Sequence, residues 1–180
     1  MASDDRTGQL VQGRYRLLRR VGEGSQGKVY LAEDLARAGE VVALKLVEEL
    51  VGGRRDTSAD HVLRWFRHPN WATVLDVGAW SDTGWFEVTR FVHGTSLADL
   101  EGPQSEELVA AFLEQGARVL GALHRRGLIH YDVTPGNWML EWRDGSPHFV
   151  LTDGGLAHVG AIRGFGRGTP RYMAPEMTQE

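Results

Sequence analysis

The residues best suited to chemistry lie on two short segments in the second half of the chain. The segment LIHYDVTPGNWML contains Asp132 and Asn137, five residues apart on a turn with Pro135 and Gly136. Asp153 ends an apolar run in the segment LTDGG. Carboxylate and amide oxygens are hard ligands suited to Mg²⁺, which takes few protein ligands together with phosphate oxygens. Asp and Asn are also common in ordinary turns, so this pair alone leaves both interpretations open.

A glycine-rich segment and a lysine in the first half of the chain are residues that could bind phosphate groups. In GEGSQGKV, Gly22, Gly24 and Gly27 have G-x-G-x-x-G spacing, but the segment lies between two strand-like runs, which disfavours a dinucleotide fold. Glycines allow a backbone to approach phosphates closely, although a plain glycine-rich hairpin has the same pattern. Lys45 ends the apolar run VALK and either faces solvent or, one strand after that hairpin, reaches nucleotide phosphates.

The elements that must position these residues are strands first and a helix later. Runs rich in Val, Leu and Tyr, punctuated by Gly or Asp, predict strands in YRLLRRVGEG, GKVYLAED, EVVALKLV, ATVLDVGAW and GWFEVTRFV. A short helix is expected in DTSADHVLRWF. Apolar residues at helical spacing predict a helix over residues 105–126, with Ser105 as its N-cap and Gly127 at its end. Short strands are expected in LIHYD, NWMLEW and HFVLTD, and a loop from Gly154 onward.

Composition narrows the class of protein. The chain has 180 residues, no cysteine and a formal net charge of −4, with Lys and Arg scattered along it. Scattered cations disfavour nucleic acid as the main partner, because nucleic-acid binding favours a basic face. The acidic N-terminus MASDDRTGQL is unlike a secretory signal, and the chain contains no apolar run of about 18 residues that would span a membrane. These features predict a soluble, cytoplasmic protein.

One histidine and four tryptophans are expected to have mainly structural roles. His130 lies in an apolar strand, which favours a packed structural histidine over a metal ligand. Four tryptophans are expected to serve mainly the core and rim of the β-rich region, with an exposed aromatic patch for a partner as the alternative. They are Trp65, Trp71, Trp80 and Trp85.

These segments, followed by GTPRYMAPE at residues 168–176, resemble the Ser/Thr protein kinases of the bacterial, eukaryotic-like (Hanks) type. The resemblance runs from about Arg14 to Glu176 and implies an α+β, protein-kinase-like fold of two lobes with ATP and Mg²⁺ between them. Residues 1–12 would form a flexible tail, 13–92 a β-rich N-lobe, and 93–180 a partial C-lobe with the catalytic loop and activation segment. Because the chain stops four residues after Glu176, the helical lobe is expected to be incomplete, in either a fragment or a naturally short protein.

The resemblance also implies a role for each matching residue. Asp132 matches the catalytic base, Lys45 the ligand of the α- and β-phosphates, and Thr169 the loop threonine of Ser/Thr-directed kinases. Asn137 and Asp153 match the magnesium ligands. Thr89 takes the gatekeeper position, residues 90–92 the hinge, and Met139 the floor of the adenine site. The full set of implied ATP-binding positions is Gly22, Gly24, Gly27, Val29, Ala43, Lys45, Thr89, Arg90, Phe91, Val92 and Met139.

Four positions depart from the family pattern. Tyr131 replaces the arginine of H-R-D, and the loop GGLAHVGAIRGFGRG contains no Ser, Thr or Tyr, so a switch by phosphorylation of that loop is not expected. Thr134 replaces a lysine that contacts the γ-phosphate, a loss of about 2–4 kcal/mol of transition-state stabilisation. Gly154 replaces the phenylalanine of D-F-G, and Ala59 stands where the helix glutamate partner of the lysine is expected.

Three functions are compatible with this pattern. The leading hypothesis is a weak ATP-dependent protein Ser/Thr kinase acting on a protein substrate. A pseudokinase that binds a protein partner is the alternative, supported by the four departures. A small-molecule phosphotransferase is less favoured: IHYDVTPGN and VLTDGGLA resemble its loops, but the glycine segment and GTPRYMAPE resemble protein kinases. The oligomeric state is left open.

Overall fold

The computed structural model describes residues 5–24, 27–47, 60–81, 84–153, 158–159 and 169–175. The chain divides into two compact units: a first unit of Met1–Arg55 and Thr73–Phe91, and a second unit of Asp56–Ala72 and Val92–Glu180. Ala59, Gly154 and the start of the predicted helix DTSADHVLRWF lie outside the described residues. Within the described ranges, no helix is long and apolar enough to cross a membrane.

The first unit is built on a six-stranded antiparallel sheet. Its strands are β1 (Leu10–Val11), β2 (Tyr15–Gly24), β3 (Gly27–Asp34), β4 (Glu40–Val47), β5 (Val74–Ala79) and β6 (Trp85–Arg90). Their spatial order is β1-β2-β3-β4-β6-β5, so β6 lies between β4 and β5. The bounds of β2, β3 and β4 coincide with the predicted strand-like runs, and Gly24 and Asp34 end the first two of them.

One face of this sheet carries the core of the first unit. Side chains alternate between the two faces of a strand, and β4 sends Val42, Leu44 and Leu46 to the core face. Phe86 and Val88 of β6 join them, together with residues of β2 and β3. Lys45 and Ala43 therefore belong to the opposite face of the same strand.

Part of the segment predicted to be a flexible tail belongs to the sheet. Leu10 pairs with Arg16 and Val11 with Tyr15, in antiparallel register. Gly8 N–H also donates to the Leu17 carbonyl oxygen at 2.7 Å. The physical reason is burial: the Val11 side chain is 5% exposed and belongs to the core, which holds this strand against β2.

The second unit combines a long helix with short strands. Its described elements are α1 (Asp60–Trp65), β7 (Thr95–Ser96), α2 (Glu106–His124), β8 (Leu128–Ile129), β9 (Trp138–Arg143), β10 (Ser146–Leu151) and β11 (His158–Val159). β9 lies between β10 and β7 in one sheet, and β8 pairs with β11 in another. Short 3₁₀ turns occupy Leu97–Asp99, Pro135–Asn137 and Pro170–Tyr172.

The long helix α2 confirms the sequence prediction and supports β9 and β10. Ser105 is its N-cap and accepts a hydrogen bond from Leu108 N–H through its hydroxyl. The ring of Phe112 packs edge-on against Trp138 at 5.1 Å and against Phe149 at 5.2 Å between centroids. This aromatic cluster fixes the strand that follows the turn containing Asn137.

The segment from α1 to Ala72 packs with the second unit, although the sequence suggested a place in the β-rich region. Asn70 donates through Nδ2 to Gln115 Oε1 of α2 and to the Phe149 carbonyl oxygen of β10. Trp71 is 1% exposed, and its ring meets His130 edge-on at 5.9 Å. Trp85 is also buried, whereas Trp65 is 71% exposed, so the tryptophans divide between core and surface.

Candidate active site

The loop that follows β8 is anchored by a buried histidine. His130 is 1% exposed, which confirms its structural interpretation. Its Nδ1 accepts a hydrogen bond from Asp132 N–H at 3.3 Å, and its Nε2 lies 3.4 Å from the Thr152 carbonyl oxygen. The imidazole therefore ties the start of the loop to the end of β10, which brings Asp132 and Asp153 into one region of the second unit.

The carboxylate of Asp132 is held on both oxygens. Thr169 donates to Oδ1 twice, from its backbone N–H at 2.9 Å and from its hydroxyl at 2.8 Å. Asn137 Nδ2 donates to Oδ2 at 3.0 Å and to the Asp132 carbonyl oxygen at 2.8 Å. The Asp132 side chain is 8% exposed and fixed in orientation, as a general base requires.

The two residues expected to bind magnesium are brought together by Thr152. Thr152 N–H donates to the Asn137 carbonyl oxygen at 2.8 Å, and the Thr152 hydroxyl donates to the same oxygen at 3.1 Å. Asp153 follows directly. The two hydrogen bonds of the Asn137 side chain use Nδ2, and Oδ1 takes no part in them. An amide oxygen and a carboxylate on adjoining loops fit the hard oxygen ligands that Mg²⁺ prefers.

Two residues of this region have backbone conformations that L-residues rarely adopt. Tyr131 has φ of +65° and Asp153 has φ of +58°. Such conformations cost of order 1–3 kcal/mol each and persist where the surrounding structure holds them, which is common at functional sites. Tyr131 directly precedes Asp132, and Asp153 is itself one of the two expected Mg²⁺ ligands.

Thr134, one of the departures from the family pattern, has a structural role in the loop that follows β8. Thr134 is 8% exposed, and its carbonyl oxygen accepts from Asn137 N–H at 3.0 Å to close the Pro135–Asn137 turn. Thr134 thus supports the turn that presents Asn137, but its short side chain carries no charge. Gly154 and Ala59 lie outside the described residues.

The three glycines of the segment GEGSQGKV in the first unit differ in the space around them. A Cβ built on Gly27, whose φ is +136°, would lie 2.1 Å from the Leu46 carbonyl oxygen, so only glycine fits between β3 and β4. A Cβ on Gly24 would meet no described atom within 4 Å, and one on Gly22 would meet only Val29 at 3.8 Å. The packing of the sheet therefore explains why residue 27 is glycine. Gly22 and Gly24 need another explanation, such as close approach of the backbone to a ligand.

The remaining expected nucleotide-binding residues fall in both units. In the first unit, Val29 of β3 pairs with Lys45 of β4, and Ala43 of β4 pairs with Thr89 of β6. The four residues therefore lie close together on three neighbouring strands. Arg90 N–H donates to the Thr73 carbonyl oxygen at 3.0 Å, and Phe91 is the last residue of that unit. In the second unit, Val92 packs in a small cluster with Ala72 and Val150, and Met139 is packed against it.

The comparisons with known proteins agree with this arrangement. The chain belongs to the protein kinase domain family, which matches residues 15–180. It is 32% identical over 196 residues to the serine/threonine-protein kinase pkn3 of Myxococcus xanthus, covering 98% of this chain and 36% of the relative. It is 34% identical over 191 residues to the DNA damage-responsive serine/threonine-protein kinase RqkA of Deinococcus radiodurans, covering 96% of this chain and 27% of the relative.

A solved structure shows the same fold. The crystal structure of a double mutant of the Mycobacterium tuberculosis PknI kinase domain matches with a TM-score of 0.72 and 27% identity, covering 86% of this chain and 63% of that one. These findings confirm the predicted α+β protein-kinase-like fold and the resemblance to bacterial Ser/Thr kinases. The chain spans about a third or less of the length of the two curated relatives. Protein kinases as a family use ATP and Mg²⁺.

Proposed function

We propose that this chain carries the catalytic region of an ATP-dependent protein Ser/Thr kinase. The observation that carries the proposal is the Asp132 carboxylate, fixed on both oxygens by Thr169 and Asn137 in the loop that follows β8. Aspartate in this position has one strong chemical use in a kinase fold, which is to accept the proton of a substrate hydroxyl. The kinase names of the relatives support the same class of reaction.

In the proposed reaction, the hydroxyl oxygen of a protein Ser or Thr forms a bond to the γ-phosphorus of ATP. The bond from that phosphorus to the bridging oxygen breaks, and ADP leaves with the electron pair. The hydroxyl proton passes to Asp132, whose carboxylate is oriented by its hydrogen-bonded neighbours. Lys45 supplies positive charge for the α- and β-phosphates. Catalysis of this kind depends mostly on positioning and electrostatics.

Asn137 Oδ1 and the Asp153 carboxylate would hold magnesium in this proposal. The ion would supply charge neutralisation on the phosphate oxygens. The contribution of the chain is to fix these two ligands: Asn137 through its bonds to Asp132, and Asp153 through the neighbouring Thr152. The described residues contain no cluster of three or more His, Asp or Glu that could hold a metal by itself, and Mg²⁺ sites at phosphates need only one or two carboxylates.

We expect the rate to be low. Thr134 provides no charge at the γ-phosphate, and loss of one such electrostatic contact costs about 10²–10³ in kcat in other enzymes. The cost falls on the transition state, so the affinity for Mg–ATP should be preserved better than the turnover.

The test is phosphoryl transfer from γ-labelled ATP by the 180-residue chain to a generic basic protein, followed by phosphoamino-acid analysis. We expect label on Ser or Thr, dependent on magnesium and abolished by Asp132→Asn. Asp144→Asn is the matched control, since Asp144 lies on the exposed β9–β10 turn. Transfer that persists unchanged in Asp132→Asn would contradict the proposed role of this carboxylate.

A second candidate, a kinase-like module that binds a protein without transferring phosphate, is favoured by Tyr131 and Thr134. It predicts a folded chain with no magnesium-dependent transfer in the same assay. Transfer to small alcohols or sugars instead of protein would favour a small-molecule phosphotransferase. A protein substrate and a cytoplasmic location remain predictions from the sequence, to be examined by fractionation and by identification of phosphorylated proteins.

A further inference from the structure

Two oppositely charged residues face each other across neighbouring strands of the first unit. Lys45 of β4 and Glu87 of β6 are paired directly in the antiparallel register. Directly opposite residues of an antiparallel pair have Cβ atoms about 4.5–5.5 Å apart on the same face of the sheet. The ammonium and carboxylate groups therefore extend from adjacent positions.

The face that both residues occupy follows from the core. Lys45 lies between Leu44 and Leu46, and Glu87 lies between Phe86 and Val88. All four of these apolar neighbours belong to the hydrophobic core cluster of the sheet. Since alternate residues of a strand point to opposite faces, Lys45 and Glu87 both lie on the face opposite that core. This is the face that also carries Ala43 and Thr89.

Both charged residues are buried. Lys45 is 7% exposed and Glu87 is 4% exposed. Lys and Glu are almost never buried to this extent unless they are paired, because a desolvated charge without a partner is costly. Adjacent positions, a common face and opposite charge make each residue a suitable partner for the other.

We propose that Glu87 is the positioning residue for Lys45, taking the part that a helix glutamate has in the family pattern, where this chain has Ala59. Both members of the pair lie on neighbouring strands of one sheet. The consequence for nucleotide binding rests on the proposed function, in which Lys45 contacts phosphates. The pairing itself does not.

The first test is a double-mutant cycle on thermal unfolding of the 180-residue chain, which needs no nucleotide. The variants are Lys45→Met, Glu87→Gln and the two combined. Each single change leaves a buried charge without its partner and should lower the melting temperature by several degrees. The double variant should melt at or above the lower of the two single variants, because no charge is left unpaired. Shifts that simply add would overturn the pairing.

The second test is the affinity for Mg–ATP, which a purely structural role would leave unchanged in folded variants. Glu87→Gln should weaken binding about tenfold, as expected for a charged phosphate ligand that loses its orientation. Glu87→Asp keeps the charge and should restore part of the affinity. Glu33→Gln is the matched control: Glu33 is a carboxylate on β3 of the same sheet, paired with Arg16 at the surface. Equal binding by Glu87→Gln and the unaltered chain would overturn the positioning role.

The two tests separate the inference from the proposed function. Coupling in the unfolding cycle, with no Mg–ATP binding by the unaltered chain, would uphold the Lys45–Glu87 pair and contradict the kinase proposal. Binding by the unaltered chain without coupling in the cycle would uphold the nucleotide site of the proposed function and contradict the pair.

Discussion

At the scale of single residues, the hydrogen bonds to Asp132 explain why Thr169 belongs to the candidate site. Its hydroxyl and its backbone N–H converge on one carboxylate oxygen, while Asn137 occupies the other. Asp132 is thus oriented by residues that lie 5 and 37 positions away along the chain. Only the nearer of these two contacts lies within the motif visible in LIHYDVTPGN.

Replacing Thr169 by valine should slow turnover more than it weakens nucleotide binding. A hydrogen bond to a charged group contributes about 1.5–3 kcal/mol, which corresponds to a roughly 10–100-fold fall in kcat. Thr169→Ser keeps the hydroxyl and should retain most of the activity. Steady-state kinetics at saturating Mg–ATP measure the effect. A variant Thr169→Val with unchanged kcat would show that this hydroxyl does not contribute to orienting Asp132.

The glycines of the GEGSQGKV segment should respond differently to alanine. Gly24→Ala places a Cβ where no described atom lies within 4 Å, so the melting temperature should be unchanged while Mg–ATP binds less tightly. Gly27→Ala forces a Cβ to 2.1 Å from the Leu46 carbonyl oxygen at a φ of +136°, so it should destabilise the sheet. Thermal melts and ATP titrations of both variants check the contrast. Loss of stability in Gly24→Ala with no change in ATP affinity would assign Gly24 a structural role.

At the scale of elements, Gln115 joins α2 to two other segments of the second unit. Its Oε1 accepts from Asn70 Nδ2 at 2.7 Å and from Phe149 N–H at 2.9 Å, and its Nε2 donates to the Pro147 carbonyl oxygen at 3.0 Å. Through these bonds the helix supports β10, the strand that leads to Thr152 and Asp153. The sequence offered no signal for this role, because a glutamine within a helix resembles a surface residue.

Gln115→Leu should lower the free energy of unfolding by about 2–4 kcal/mol, since partly buried donors and acceptors lose their partners. The neighbouring change Glu114→Ala is the control, because Glu114 forms an exposed pair with Arg118 that is expected to contribute about 0.3–0.5 kcal/mol. Urea denaturation measures both. A similar loss in the two variants would mean that the Gln115 bonds add little to the stability of this unit.

The sequence predicted the elements better than their partners. Alternating apolar residues located β2, β3 and β4, and helical spacing with Ser105 located α2, because these signals are local. The placement of β6 between β4 and β5 and the contact of Asn70 with α2 depend on residues far apart in sequence. For the same reason, the motif around Asp132 predicted it as a site residue, but no local pattern predicted that Lys45 pairs with Glu87. That pairing appears only in the register of two strands that are not consecutive.

At the scale of the whole molecule, each unit carries part of the proposed chemistry. The first unit contributes Lys45 and the glycine segment, and the second contributes Asp132, Asn137 and Asp153. A polar side chain also stabilises each unit. In the second unit it is Gln115 through its hydrogen bonds, and in the first unit it is the buried carboxylate of Asp34. Asp34, 1% exposed, accepts from Arg14 Nε at 2.8 Å and Nη2 at 2.7 Å.

This partly buried pair should make the stability of the protein depend on pH in the acid range. The Arg14 guanidinium holds the pKa of the Asp34 carboxyl below its usual range, with burial acting in the opposite direction. The folded state therefore favours the carboxylate, so the contribution is complete above about pH 4 and is lost as the pH falls through the lowered pKa. Arg14→Met should cost about 1–3 kcal/mol and shift the midpoint of acid unfolding to higher pH.

Arg16→Met is the control for this change, because Arg16 lies two residues further along the chain, on β2, and forms a surface pair with Glu33. Unfolding curves between pH 2 and pH 7, followed by circular dichroism, compare the two variants. An acid midpoint that is the same in Arg14→Met and the unaltered chain would show that Asp34 does not supply this pH dependence.

The most direct measurement is a calorimetric titration of ATP, with and without Mg²⁺, into the 180-residue chain and into Lys45→Met and Asp153→Asn. We expect magnesium-dependent binding to the unaltered chain in the range of roughly 1 μM to 1 mM that is usual for enzyme substrates. Both variants should bind more weakly, one through lost phosphate contact and the other through lost metal ligation. A folded chain that shows no binding at millimolar ATP, or binding that neither variant weakens, would contradict the claim that these residues form the nucleotide site of a kinase.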